Sequence, residues 1–246
     1  MKPYYEHAGI TIWLGDCREI ISTLDRVDAV VADPPYGETS LAWDSQIHGW
    51  MNCCRTVTNS LWCFGSLSLF MDMIQSGECC NWTKAQDVVW EKHNGSSLLT
   101  DRFRRVHELI VQFYHGDWAS VFKMPVMVPD GVSRKVIRRS KPSHWSEIKT
   151  GRYESIDGGP VLMRSVIFAR SCHGYADHPT QKPEEIIIPL LEYSVPVGGT
   201  VLDPFCGSGS TLVAARNKGR NAIGIEIEER YAEIAAKRLS QEVFQF

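Results

Sequence analysis

The chain has 246 residues, 43% of them hydrophobic and 22% charged, proportions of a folded protein that exclude a low-complexity or collagen-like chain. Its formal net charge of −3 excludes a uniformly basic nucleic-acid binder. No apolar run approaches the ~20 residues of a membrane span, and the opening MKPYYEHAGI lacks the apolar core of a secretory signal, so a cytoplasmic protein with no membrane partner is expected.

Three zones follow one another. In the first, residues 1–116, ITIWLGD reads as a strand, CREIISTL as a short helix and VDAVVA as a strand apolar on both faces. Continuous apolar runs of this kind suit parallel strands covered by helices. NSLWCFGS, DVVWEK and ELIVQFYH extend the alternation of β and α elements. The vicinal pairs Cys53-Cys54 and Cys79-Cys80 do not have C-x-x-C spacing, so the eight cysteines are expected to be reduced thiols and no metal site is expected.

The second zone, 117–177, has weak periodicity and carries eight Lys/Arg against three Asp/Glu between residues 117 and 153. It reads as an insertion of short strands and loops with a local basic footprint. The third, 178–246, regains order. KPEEIIIPLLEYS is a helix with Pro183 suited to its first turn, GTVLDPF a strand, STLVAARNKG a helix closed by Gly219, NAIGIEI a strand, and EERYAEIAAKRL an amphipathic helix.

DPFCGSGST, 203–211, lies where a strand hands over to a helix, and Glu226 ends the next strand 19 residues after Gly207. Glycines there let a backbone approach a ligand, and an acid at that distance can hold two ribose hydroxyls. The loop departs from the dinucleotide fingerprint, because Leu212 stands where a third small residue belongs, and it lacks the lysine of a P-loop. Taken alone, it reads as a nucleotide site or as a tight turn without a ligand. At the other end of the chain, VDAVVADPPYGE (27–38) ends an apolar strand in an acid, two stiff prolines and an aromatic.

Taken together, DPPY (33–36) and DPFCGSGS (203–210) resemble the marked segments of the exocyclic-amino DNA methyltransferases, which use S-adenosylmethionine. With DPPY first, the cofactor loop last and the basic zone between, the order resembles the β group of that family. LGDCREI (14–20), LAWD (41–44), WEKHNGS (90–96) and HPTQKP (178–183) extend the similarity over most of the chain outside 117–177.

The resemblance implies an α/β, Rossmann-like methyltransferase fold with a mostly parallel, doubly wound sheet. Residues 1–116 and 178–246 would form the two halves of one domain, permuted in order, around a target-recognition insertion at 117–177. It implies that Asp203, Phe205, Gly207, Gly209 and Ser210 form the floor under the cofactor's methionine part, that Glu226 takes its ribose hydroxyls, and that Asp16 takes its adenine amino group. Lys182 would help with the cofactor carboxylate. Plainer readings stand beside two of these: a helix cap for Asp16 and a solvated surface charge for Lys182.

An exocyclic amine is a poor nucleophile, because its lone pair is delocalised into the base. Asp33 and the carbonyl of Pro34 would accept its two N–H protons, Pro35 would fix that carbonyl's direction, and Tyr36 would stack on the base. The target must leave the duplex stack to reach them. Trp43 and Trp50 would close over the flipped base or, on the plainer reading, simply pack. Arg134, Lys135, Arg138, Arg139 and Lys141 occupy the recognition position of the β group and would contact DNA rather than form a solvated loop. DRFRRVHE (101–108) is a second candidate for facing DNA. Adenine N6 is expected as target in double-stranded DNA; cytosine N4 is the alternative, since its methyltransferases more often carry Ser in place of Asp33. A homodimer on a symmetric site is a further expectation from the β group.

Overall fold

The apolar run of VDAVVA becomes strand β3 (Ala29–Ala32), every residue of which is buried. Such a strand is stable only with layers on both faces and neighbours on both edges. The structure, a computed structural model, describes residues 2–38, 44–96, 101, 103–138, 151–172 and 181–241. It provides those neighbours from opposite ends of the chain.

In chain order the first unit contains β1 (Tyr5–His7), β2 (Ile10–Leu14), α1 (Cys17–Ile21), β3, α2 (Trp50–Val57), β4 (Ser60–Gly65), α3 (Leu67–Gln75), β5 (Thr83–Ser96) and β6 (Arg105–Tyr114). Two antiparallel pairs of short strands come next: β7 (Met127–Val128) with β10 (Val161–Leu162), and β8 (Arg134–Arg138) with β9 (Gly151–Ser155). Then come β11 (Val166–Phe168), α4 (Glu184–Ser194), β12 (Thr200–Asp203), α5 (Ser210–Asn217), β13 (Asn221–Glu226) and α6 (Glu229–Ser240). Among the described residues the main sheet runs β1-β2-β13-β12-β3-β4-β6-β5-β11.

Its centre is parallel: β12 pairs with β13 and with β3, β13 with β2, and β3 with β4. Leu202 of β12 lies beside Val30 of β3, so the DPPY strand and the glycine-loop strand are hydrogen-bonded neighbours. β6 runs antiparallel between β4 and β5. Strand direction is not encoded in an apolar run, and only the pairing reveals it.

The core between sheet and helices includes Ile20, Ile21, Trp50, Met51, Leu61, Cys63 and Leu202. Residues 125–164 form a separate compact unit, and the rest of the chain forms the other. Pro183 does not enter the first turn of α4 as expected. It is the N-cap, with extended backbone, and the missing N–H of a proline costs nothing there because no helical acceptor precedes it. α1 is also shorter than CREIISTL, because the Ser22 and Thr23 hydroxyls donate to the carbonyls of Glu19 and Ile20. All eight cysteines are free thiols. No helix among the described residues is long and apolar enough to cross a membrane.

Candidate active site

Parallel strands deliver their carboxyl ends to one edge of a sheet, and ligands collect there. Asp33 follows β3, Asp203 ends β12 and Glu226 ends β13, so three acids separated in sequence face one cavity of about 250 Å³. Asp16, Pro35 and Lys182 line it together with Asp33. From the glycine loop come Phe205, Gly207 and Ser210.

The loop is held open by its own backbone. Gly207 and Gly209 have φ of +50° and +79°, in the left-handed region where a Cβ is strained. Gly209 N–H donates to the Cys206 carbonyl at 2.7 Å, closing the turn that starts α5. The Glu226 carboxylate clamps the turn from β13: Oε2 accepts from Gly207 N–H and Oε1 from Glu228 N–H, both at 2.8 Å. Burial raises the pKa of Glu226. Asp203 accepts from Phe205 N–H at 3.1 Å, and burial pushes its carboxyl up to about 7.

Asp16 caps α1, accepting from Arg18 N–H at 2.9 Å, and its carboxylate pairs with the Arg18 guanidinium at 2.5 Å, which holds its pKa down. The helix-cap reading of Asp16 is therefore realised, and the same side chain still lines the cavity.

Around Asp33 the structure builds a polar cluster with little access to water. Oδ1 accepts from the Tyr36 hydroxyl at 2.9 Å and Oδ2 from Lys182 Nζ at 2.6 Å. The Asp33 side chain is 22% exposed and that of Lys182 9%. Lys182 is thus an inward-facing ammonium and not a solvated surface charge. Lys182 Nζ also lies 3.4 Å from Glu108 Oε2 and 5.6 Å from the centre of the Tyr36 ring. Burial raises the Asp33 pKa, with Lys182 opposing it. Glu108 is held below its ordinary value, because Lys182 and Lys92 together outweigh its burial.

Lys92 and Glu108 lie in WEKHNGS and DRFRRVHE, but the sequence reading assigned neither a role in the site. The signal available for Glu108 was an acid directly before the apolar run LIV of β6. Trp50 packs in the core, edge-on to Phe205 with ring centres 5.2 Å apart, and is 2% exposed, so it is not free to cover a base. Arg105, at the start of β6, pairs with Glu38 at 3.2 Å, and Phe103 is fully exposed beside it. In the separate unit Arg134 and Lys135 are exposed on β8, with Lys135 Nζ 3.8 Å from Glu154, and Arg138 closes the strand. Trp43, Arg139 and Lys141 lie outside the described residues.

The model of the N6/N4 methyltransferase family, described as DNA methylase, matches residues 27–237. The chain belongs to this DNA methylase family. It is 28% identical over 265 residues to the Type II methyltransferase M.HinfI of Haemophilus influenzae, covering 94% of this chain and 68% of that protein. The fold recurs in the crystal structure of an M1.HpyAVI–SAM complex, with a TM-score of 0.63, 24% identity, and 93% and 99% of the two chains covered. It recurs also in PvuII DNA methyltransferase, titled cytosine-N4-specific, with a TM-score of 0.64, 13% identity, and 99% and 91% covered. The matched range takes in both the DPPY segment and the glycine loop.

Proposed function

We propose that this DNA methylase transfers a methyl group from S-adenosylmethionine to the N6 amino group of adenine in double-stranded DNA. The observation that carries the reading is the position of Asp33: a carboxylate held by Lys182 and Tyr36 beside a cavity that Glu226 also lines.

The residues fit the cofactor. Each Glu226 oxygen accepts one backbone N–H and keeps a lone pair for a ribose hydroxyl. Phe205 and the exposed Ile227 offer apolar surface within the same cavity, and Asp16 offers a carboxylate beside them. When bound, S-adenosylmethionine supplies a methyl carbon on a positively charged sulfur. In this reading Asp203, Phe205, Gly207, Gly209 and Ser210 cradle its methionine part, and Lys182 stands within reach of its carboxylate.

Asp33 and the Pro34 carbonyl accept the two N–H protons of the target amine and draw electron density onto its nitrogen. Pro35 keeps that carbonyl from turning, and Tyr36 stacks on the base. Rigid acceptors pre-aimed at a developing positive charge need no reorganisation during the reaction. The base leaves the duplex at a cost of a few kcal/mol. In this reading Arg134, Lys135, Arg138, Arg139 and Lys141 contact DNA from the target-recognition insertion at 117–177, and Trp43 contacts it from the segment after DPPY. Free thiols suit the cytoplasm, and a homodimer, to be read by ultracentrifugation with and without DNA, completes the proposal.

The choice of adenine rests on Asp33, since a cytosine-N4-specific protein shares the fold. Digestion of DNA methylated by the chain, followed by mass spectrometry of the nucleosides, tests it. N6-methyladenine is expected. N4-methylcytosine alone would overturn the adenine assignment, and no methylated nucleoside would overturn methyl transfer.

A further inference from the structure

Glu108 belongs neither to the DPPY element nor to the glycine loop, yet it is the hub of the buried charges. It stands on β6 opposite Trp90 of β5, with its side chain 11% exposed. Lys92 of β5 forms an ion pair with Oε1. Lys182 Nζ lies 3.4 Å from Oε2, and the Tyr36 hydroxyl lies 3.5 Å from the same oxygen. Beyond those two lies Asp33. On β4, the Cys63 thiol is kept neutral by burial and by the charge of Asp33, which Lys182 opposes. The cluster therefore holds two carboxylates and two ammonium groups.

A buried ammonium must be paired and hydrogen-bonded to offset its lost hydration. Without Glu108, Lys182 would have Asp33 alone, and its three N–H donors would compete with the target amine for the same two oxygens. With Glu108 present, Lys182 Nζ sits 2.6 Å from Asp33 Oδ2 with a second carboxylate 3.4 Å away, and the Tyr36 hydroxyl, 2.9 Å from Asp33 Oδ1, lies 3.5 Å from that same second acid. We propose that Glu108 is a positioning residue for methyl transfer: it anchors Lys182 and Tyr36 so that Asp33 keeps an acceptor position open for the amine. This rests on the reading of Asp33 given above.

The test is Glu108→Gln, close in shape but uncharged, with kcat followed across pH and S-adenosylmethionine binding followed by calorimetry. We expect kcat at saturating S-adenosylmethionine to fall at least tenfold, with calorimetry establishing the concentration that saturates each variant. We also expect both limbs of the kcat profile to move to lower pH. Asp33 loses a like-charged neighbour, so its carboxyl ionises earlier, and Lys182 loses an opposite-charged one, so it deprotonates earlier. Glu108→Asp restores the charge and should move the limbs back. Should Glu108→Gln not fold, Lys92→Gln carries the test with the opposite sign: loss of a nearby cation moves both limbs to higher pH.

A purely structural role predicts a smaller active fraction with unmoved limbs, and that result, in either variant, overturns the proposal. A wild-type chain that transfers no methyl at all overturns the reading of the site itself, and this proposal with it. A wild-type chain that does, beside a Glu108→Gln variant of unchanged rate and profile, overturns only the role of Glu108.

Discussion

Gly224 and Leu212 fit as gap and knob. A Cβ on Gly224 of β13 would stand 2.8 Å from Leu212 Cδ2 of α5 and 2.9 Å from Cys206 Sγ. A dinucleotide-binding helix approaches its sheet through a small residue of its own. Here the helix carries the large residue, and the facing strand gives up its side chain. Gly224→Ala is expected to lower the unfolding free energy by about 1–3 kcal/mol through overpacking. In a Leu212→Ala background the same substitution should cost about 1 kcal/mol less, because the colliding methyl is gone. Urea unfolding of the four proteins of the cycle measures it, and additivity would refute the fit.

Asp203 makes stability depend on pH. Its carboxyl, at about 7 when folded against an ordinary 3.8, is protonated in both folded and unfolded chains below 3.8. Between these values the unfolded chain gains by ionising and the folded chain does not, so stability falls as pH rises. Above about 7 the loss is complete, at up to about 4 kcal/mol. Asp203→Asn removes this dependence. The stability difference between pH 4 and pH 8 should therefore be smaller in the variant than in the wild type, read by denaturant titration at both values.

Glu226→Gln should weaken S-adenosylmethionine binding roughly 10–100-fold, the effect of losing charge-assisted hydrogen bonds of about 1.5–3 kcal/mol. Either the Gly207 or the Glu228 N–H then faces a donor, so the loop loosens as well. Calorimetry gives the affinity. At saturating cofactor, kcat should stay within a few-fold of the wild type, because the proposed role of Glu226 is to hold the cofactor's ribose and not the amine.

Lys182→Gln should move the acid limb of kcat to higher pH. Burial pushes the Asp33 carboxyl up, and Lys182 is the largest influence opposing it. Without the ammonium, Asp33 holds its proton to higher pH and cannot accept from the amine until that proton leaves. A limb at the wild-type position would show that Asp33 does not govern the rate.

Arg134→Ala and Lys135→Ala should each weaken DNA binding about equally across sequences and reduce the slope of log affinity against log salt by about 1. Fluorescence anisotropy at several salt concentrations reads the slope. A slope identical to that of the wild type would remove β8 from the interface.

The sheet centre was legible because burial on both faces leaves an unbroken apolar run, as in VDAVVA. Glu226 was legible because strand, turn and helix consume a nearly fixed length of chain between Gly207 and the next strand end. Glu108 was not, for a physical reason: its partners Lys92 and Lys182 come from another strand and from beyond the separate unit, and neither pairing leaves a spacing signature. Lys182 was legible as a site residue, but its contact with Asp33, 149 residues away, depends on how α4 is set against the sheet. The compensation of Leu212 by Gly224 was equally hidden, because a glycine in a strand does not announce what it makes room for. The ends of α1 and α4 were decided by single side-chain hydrogen bonds and by one proline, below the resolution of an apolar period.

The pairing of β3 with β12 has a consequence for biogenesis. The strand bearing the proposed acceptor leaves the ribosome early, while its hydrogen-bonded neighbour emerges some 170 residues later. Closing so distant a contact is slow, and local interactions cannot substitute for it. A partly translated polypeptide therefore lacks both the middle of its sheet and the clamp around its glycine turn. Until β12 and β13 are made, Asp203 and Glu226 have no place beside Asp33.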